Sequence, residues 1–227
     1  MSRAQCALLS LITLLTACSQ EETSQSITNV APDNVPSVSA SPLNTDPLAQ
    51  APVDAWLTNG GSYSNQRWSP LDEINRESVS QLQAEWRVHL NGSGLETRYS
   101  AEGTPLYKDG VLYMTTGDSD AFAVDVDSGE LMWEHNSQFP EEMGEAVCCG
   151  WDNRGVALGD GKVFLGQLDA RLIALDEDTG EVIWETQSVR WQDGYSITGA
   201  PLFYDGMVIT GYSGAEKGVR GLVEAFD

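Results

Sequence analysis

The chain has 227 residues, 41% of them hydrophobic and 20% charged, an ordinary globular composition that sets aside wholesale disorder and fibrous classes. Its 34 acidic and 12 basic residues give a formal charge of −22, which repels nucleic acid and anionic lipid and argues against a nucleic-acid-binding role. The acid excess is read as solubility in a salty medium, with docking to a basic partner as the sharper alternative.

In chain order, Arg3 is the one charge before an apolar run from Ala7 to Leu15. That run is too short to span a bilayer and suits a signal peptide, residues 1–17. It ends in Leu15-Thr16-Ala17-Cys18, which resembles the bacterial lipobox. The resemblance implies cleavage before Cys18 and lipid on its thiol, and Ser19 in place of Asp favours the outer over the inner membrane. The chain is thus expected to be exported, lipid-anchored and periplasm-facing, with only the anchor touching membrane. Residues 18–52 are dominated by Ser, Thr, Pro, Asn, Gln and Ala. Such a segment buries too little apolar surface to offset its ordering entropy, and is expected to be a tether to a folded part, 53–227. Four of the acids and one base precede residue 53, so 53–227 keeps a net charge of −19. The acidity belongs to the folded part.

A repeat organises that part. Ala123, Asp125, Gly129, Glu130 and Trp133 recur as Ala174, Asp176, Gly180, Glu181 and Trp184, each pair 51 positions apart, and Ala225-Phe226-Asp227 begins a third copy. Upstream of the copies, short apolar runs flank Asp109-Gly110, Asp160-Gly161 and Asp205-Gly206. Asp-Gly between such runs is a strong hairpin signal. Asp-Ser-Gly-Glu and Asp-Thr-Gly-Glu make a second turn, before a strand that ends in Trp. Each unit therefore reads as four antiparallel strands, which at this period means a β-propeller blade. The fold class is all-β, with two whole blades, most of a third, and an upstream strand carrying a docking Trp86. Propellers close with about four to eight blades, so the sequence is expected to be the N-terminal piece of a longer protein.

Cys148-Cys149 are the two thiols that remain once Cys6 leaves with the signal and Cys18 is capped. Disulfides persist in exported chains. Adjacent Cα atoms lie about 3.8 Å apart, below the usual disulfide span, so a ring here is strained, and strained disulfides tend to sit at functional sites. The alternatives are two reduced buried thiols or a metal pair; adjacent thiolates chelate one metal poorly.

Three stretches carry a family resemblance: Trp56 to Gly60 with Asn65 to Asn75; Cys148-Cys149-Gly-Trp-Asp-Asn153-Arg154-Gly155; and Ser213-Gly214-Ala215-Glu216-Lys-Gly218-Val-Arg220-Gly221. Through them residues 56–227 resemble the N-terminal part of the pyrroloquinoline quinone (PQQ)-dependent alcohol and methanol dehydrogenases, eight-bladed propellers. The cofactor is a flat tricyclic quinone with three carboxylates. The resemblance implies that Cys148–Cys149 form a disulfide plate against one of its faces. It implies that Arg154 contacts a carboxylate and the quinone oxygens, for which a guanidinium fork is suited. Thr198 matches a hydroxyl donor to the cofactor, and Glu102 a carboxylate hydrogen-bonded to its edge. Ser213, Gly214 and Ala215 match the backbone stretch beside it.

Glu216 matches the family's metal-ligating carboxylate, for calcium or a lanthanide. Calcium takes roughly six to eight oxygens, which the family completes with cofactor atoms and a downstream Asn. A downstream Asp serves as the family's base and a downstream Trp as its second stacking face, so no catalytic base is assigned among these residues. His89 and His135 match nothing catalytic and are expected at the surface. The function implied is oxidation of a small alcohol to an aldehyde in the periplasm, with electrons passing to a c-type cytochrome or another periplasmic acceptor; these 227 residues alone are expected to be inactive. The alternative is a non-catalytic outer-membrane lipoprotein scaffold with PQQ-like repeats. Such a scaffold has no reason to keep Cys148-Cys149, Arg154, Thr198 and Ser213 to Glu216 together.

Overall fold

The structure, a computed structural model, describes residues 46–94, 99–100, 102–140, 142–143, 147 and 150–227. The lipobox with Cys18, and the Cys148-Cys149 pair, lie outside the described residues. The first blade is β2 (Leu106–Lys108), β3 (Val111–Thr115), β4 (Ala121–Asp125) and β5 (Leu131–His135). The second is β7 (Val156–Gly159), β8 (Lys162–Gly166), β9 (Leu172–Asp176) and β10 (Val182–Thr186). A third holds β11 (Leu202–Tyr204), β12 (Met207–Tyr212) and β13 (Leu222–Phe226). Each sheet is antiparallel with its strands in chain order, as the blade reading requires. Two short strands, β1 (Tyr99–Ser100) and β6 (Trp151–Asp152), pair in parallel just ahead of the first two blades.

The turns follow from their residues. Asp109-Gly110, Asp160-Gly161 and Asp205-Gly206 all have positive φ at both positions, the type I′ geometry that matches strand twist. At the second turn the Asp125 carboxylate accepts bonds from the Ser128 amide (2.8 Å) and hydroxyl (2.7 Å). Asp176 does the same with Thr179, at 2.9 and 3.0 Å. These bonds hold both carboxyls below the ordinary aspartate value. The register breaks at equivalent places, between Ala123 and Val124 and between Val182 and Trp184.

Alternation along the strands divides the core. Val163 and Leu165 of β8 face blade 1, meeting Leu106, Tyr113 and Ala123; Phe164 between them faces blade 3, meeting Val208 and Tyr212. Trp133 crosses the first seam, its Nε1 donating to the Glu177 carbonyl at 2.9 Å. A Cβ on Gly180 would lie 2.6 Å from its ring. Trp86 repeats the contact one blade earlier, donating to the Val126 carbonyl at 2.7 Å over Gly129. Below this seam the Lys108 ammonium meets the largely buried Glu177 carboxylate at 2.6 Å, and Tyr113 donates to the same carboxylate at 3.3 Å. Burial is the main cause that pushes the Tyr113 phenol well above its ordinary value, with the Glu177 charge adding to it.

Three expectations shift. The packed part begins upstream of Val53: Leu48 is buried, Tyr63 donates to Asp46 at 2.7 Å, and the Tyr63 amide bonds the Leu48 carbonyl at 2.8 Å. One apolar side chain and two anchored polar groups suffice to dock residues 46–52. Trp86 docks as expected but lies outside any described strand. His135 is half-buried rather than at the surface. Elsewhere the fully buried Asp120 gathers donors from three stretches, bonding Ser93 (amide 2.9 Å), Thr116 (hydroxyl 3.0 Å) and Ser137 (amide 2.8 Å). No described helix is long and apolar enough to cross a membrane.

Candidate cofactor site

The repeat builds the site. Glu102, Arg154 and Thr198 each stand immediately before a glycine (Gly103, Gly155, Gly199) that leads into the first strand of a blade. The last strands of the first two blades are the exposed ones, and the first strand of the second blade, β7, is well buried and lies against both β3 and β11. Equivalent positions on successive blades therefore converge. Backbone bonds tie the loops side by side: the Arg154 amide donates to the Thr198 carbonyl at 3.0 Å and the Thr104 amide to the Arg154 carbonyl at 3.4 Å. Gly155 sits at φ +115°, and a Cβ there would press on the Thr104 carbonyl at 3.2 Å. Only glycine keeps that spacing without strain.

Arg154 is the hub. Its guanidinium meets Glu102 at 2.8 Å and Asp152 at 2.7 Å. With Asp152, Ser196, Thr198, Ser213, Glu216 and Val147 it lines a cavity of about 210 Å³. Ser196 and Ser213 face each other across an antiparallel bridge, their hydroxyls 2.8 Å apart. Gly214 has φ +133°, and a Cβ there would collide with the Gly194 carbonyl. It opens the 3-10 turn Ala215–Lys217 that carries Glu216. Of the residues expected from sequence, Arg154, Thr198, Ser213 and Glu216 thus share one cavity, Glu102 joins through Arg154, and Gly214 and Ala215 form its adjoining turn.

Behind Arg154 lies a larger cleft of about 490 Å³ lined by Asn59, Arg67 and Leu202 among others. Arg67 donates to the Asn59 side chain at 2.8 Å, and Asn59 donates to the Arg154 carbonyl at 2.7 Å. The first matched stretch, Trp56 to Asn75, therefore buttresses the loop that holds Arg154. Sequence reasoning assigned no role to Asp152, Ser196 or Asn59. For Asp152 the signal was its place two residues before Arg154. Burial raises the Asp152 carboxyl above the ordinary aspartate value, against the pull of Arg154 and helped by Glu102.

The donor set fits a flat, oxygen-rich anion: one guanidinium and three hydroxyls face one cavity, beside backbone brought close by a glycine. Among the described residues no three His, Cys, Asp or Glu side chains cluster around a common metal position. Glu216 would therefore be one ligand in a shell shared with other groups.

Residues 56–227 match the family model described as PQQ glucose/ethanol/alcohol dehydrogenase, beta-propeller domain. The chain is 43% identical over 178 residues to the dehydrogenase subunit of an alcohol dehydrogenase (quinone) from Gluconacetobacter polyoxogenes, covering 76% of this chain and 23% of that one. It is 41% identical over 173 residues to a 1-butanol dehydrogenase (cytochrome c) from Thauera butanivorans, covering 76% and 24%. A solved europium-containing methanol dehydrogenase superposes with a TM-score of 0.70 at 33% identity, over 77% of this chain and 30% of that one. The chain spans about a quarter of the length of the curated relatives it matches. With the blade repeat, the converging loops and these likenesses together, the chain belongs to the PQQ-dependent glucose/ethanol/alcohol dehydrogenase β-propeller family.

Proposed function

We propose that the protein to which these residues belong oxidises a small alcohol to an aldehyde with PQQ and a metal ion, calcium or a lanthanide. The observation that carries this reading is the convergence of Glu102, Arg154 and Thr198 from three successive blades beside Ser213 and Glu216. When bound, PQQ supplies the two-electron acceptor. Arg154 binds and orients its oxyanions, since charge-assisted bonds from a planar fork fix a carboxylate in plane. Thr198 and Ser213 would donate hydrogen bonds to it, and Glu216 would contribute a hard oxygen ligand to the metal. Cys148 and Cys149, the pair immediately before the described Gly150, would supply the disulfide plate. The named relatives, a quinone alcohol dehydrogenase and a cytochrome c-linked 1-butanol dehydrogenase, support an alcohol substrate and a c-type cytochrome acceptor. Export, periplasmic placement and a lipid anchor at Cys18 rest on the sequence pattern alone.

Glu216 is one carboxylate where calcium needs roughly six to eight oxygens. Residues 1–227 by themselves are therefore expected to turn over no alcohol. The test is dye-linked oxidation of short alcohols by the full-length protein reconstituted with PQQ and calcium or a lanthanide. Turnover that depends on both additions supports the reading; turnover without PQQ, or none with any alcohol under either metal, overturns it.

A further inference from the structure

The site carries more negative charge than one arginine can neutralise. Both terminal nitrogens of Arg154 already meet carboxylates, Glu102 at 2.8 Å and Asp152 at 2.7 Å. A third carboxylate, Glu216, lines the same cavity as Arg154 and Asp152, and among the described lining residues Arg154 is the one cation. The Asp152 side chain is 17% exposed against 43% for Glu102, so water screens its charge less. Its place is rigid: β6 pairs it in parallel with Ser100, and the next residue, Asn153, is buried and bonded to the Gly166 carbonyl at 2.8 Å. The Asp152 backbone is therefore held beside Arg154 when an anionic ligand approaches.

We propose that Asp152 is a positioning residue that makes occupancy of this site by an anionic cofactor conditional on a bound cation. The inference rests on the PQQ reading above. An oxyanion arriving at Arg154 must share a guanidinium that Asp152 and Glu102 already occupy, and it meets the charge of the mostly buried Asp152 at short range. A cation on the Glu216 side offsets that repulsion. Asp152 holds Arg154 in place and at the same time weakens its grip on an anion until the cation is present, so the metal and the cofactor bind as a linked pair.

The test measures PQQ binding by quenching of tryptophan fluorescence in the full-length protein stripped of cofactor and metal, with and without calcium. Relative to wild type, Asp152→Asn is expected to bind PQQ roughly tenfold more tightly without calcium, and calcium is expected to help it by roughly tenfold less. Asp152→Glu keeps the charge and should keep the wild-type calcium requirement. Asp152→Ser, smaller and neutral, should follow Asp152→Asn and stands in if the latter fails to fold. A residue that merely supports structure would weaken binding equally with and without calcium. Weaker or unchanged calcium-free binding in both neutral variants overturns the proposal. Wild-type protein that binds no PQQ even with calcium overturns the PQQ reading itself, and this inference with it.

Discussion

At the seams the repeat makes the same contact twice: Trp86 over Gly129 with its N–H on Val126, then Trp133 over Gly180 with its N–H on Glu177. At the strand entrances it makes the same position three times but fills it with Glu102, Arg154 and Thr198. One region repeats chemistry and the other repeats only geometry. The difference shows how a site arises in a repeat fold. Identical seams fix where each entrance loop points, and a single exchange before each glycine then sets an acid, a base and a hydroxyl around one cavity.

The seam contacts are the costliest to remove. Trp133→Ala should cost about 3–5 kcal/mol, the range for a buried Trp, read as a lowered denaturant midpoint. Trp86→Ala should cost roughly half as much, because Trp86 is half-buried while Trp133 is 7% exposed. Equal losses would mean that the two seams repeat their energy as well as their contact. Next comes the hub. Arg154→Gln should weaken PQQ binding by roughly 100-fold, about 2.7 kcal/mol, with an unchanged denaturant midpoint. A comparable loss of stability would show that the entrance loops hold the blades together.

Lys108→Ala tests whether the seam is locked by charge as well as by the ring. It leaves Glu177 without its cation at 10% side-chain exposure. Because Lys108 is itself 33% exposed, the expected cost is about 1–2 kcal/mol, below that of a fully buried pair. The smallest effect concerns His135. Burial is the main cause that lowers its imidazole below the ordinary 6.5, with Arg171 adding to it and Asp120 and Glu185 opposing. Between the two values the unfolded chain binds more protons, so this contribution is complete above 6.5 and is lost as pH falls through 6.5 toward the folded value. His135→Gln should flatten the fall in unfolding free energy as pH drops through 6.5. An unchanged slope would place His135 in solvent.

The blades were legible in the sequence because they are periodic: a spacing of 51 and three Asp-Gly turns determine strands, turn type and seam contacts. Glu102, Arg154 and Thr198 were legible through family resemblance, and their shared place before a glycine only became meaningful once β7 was seen between β3 and β11. Asp152 was written in the same matched stretch, but a carboxylate two residues from an arginine gains its role from burial and from the direction the backbone takes, which spacing does not carry. The docking of residues 46–52 escaped because a composition poor in apolar residues hides what a single Leu48 with the anchored Asp46 can do.

The buried Asp120 has a consequence for the order of assembly. Its carboxylate is satisfied only when Ser93, Thr116 and Ser137 arrive together, from before the first blade, from its inner hairpin and from beyond its last strand. Burying that carboxylate with one of the three donors missing would leave part of its bonding capacity unmet, at a cost the remaining bonds offset poorly. The first blade is therefore expected to close cooperatively with the residues around Ser93, giving a block on which the second blade can form.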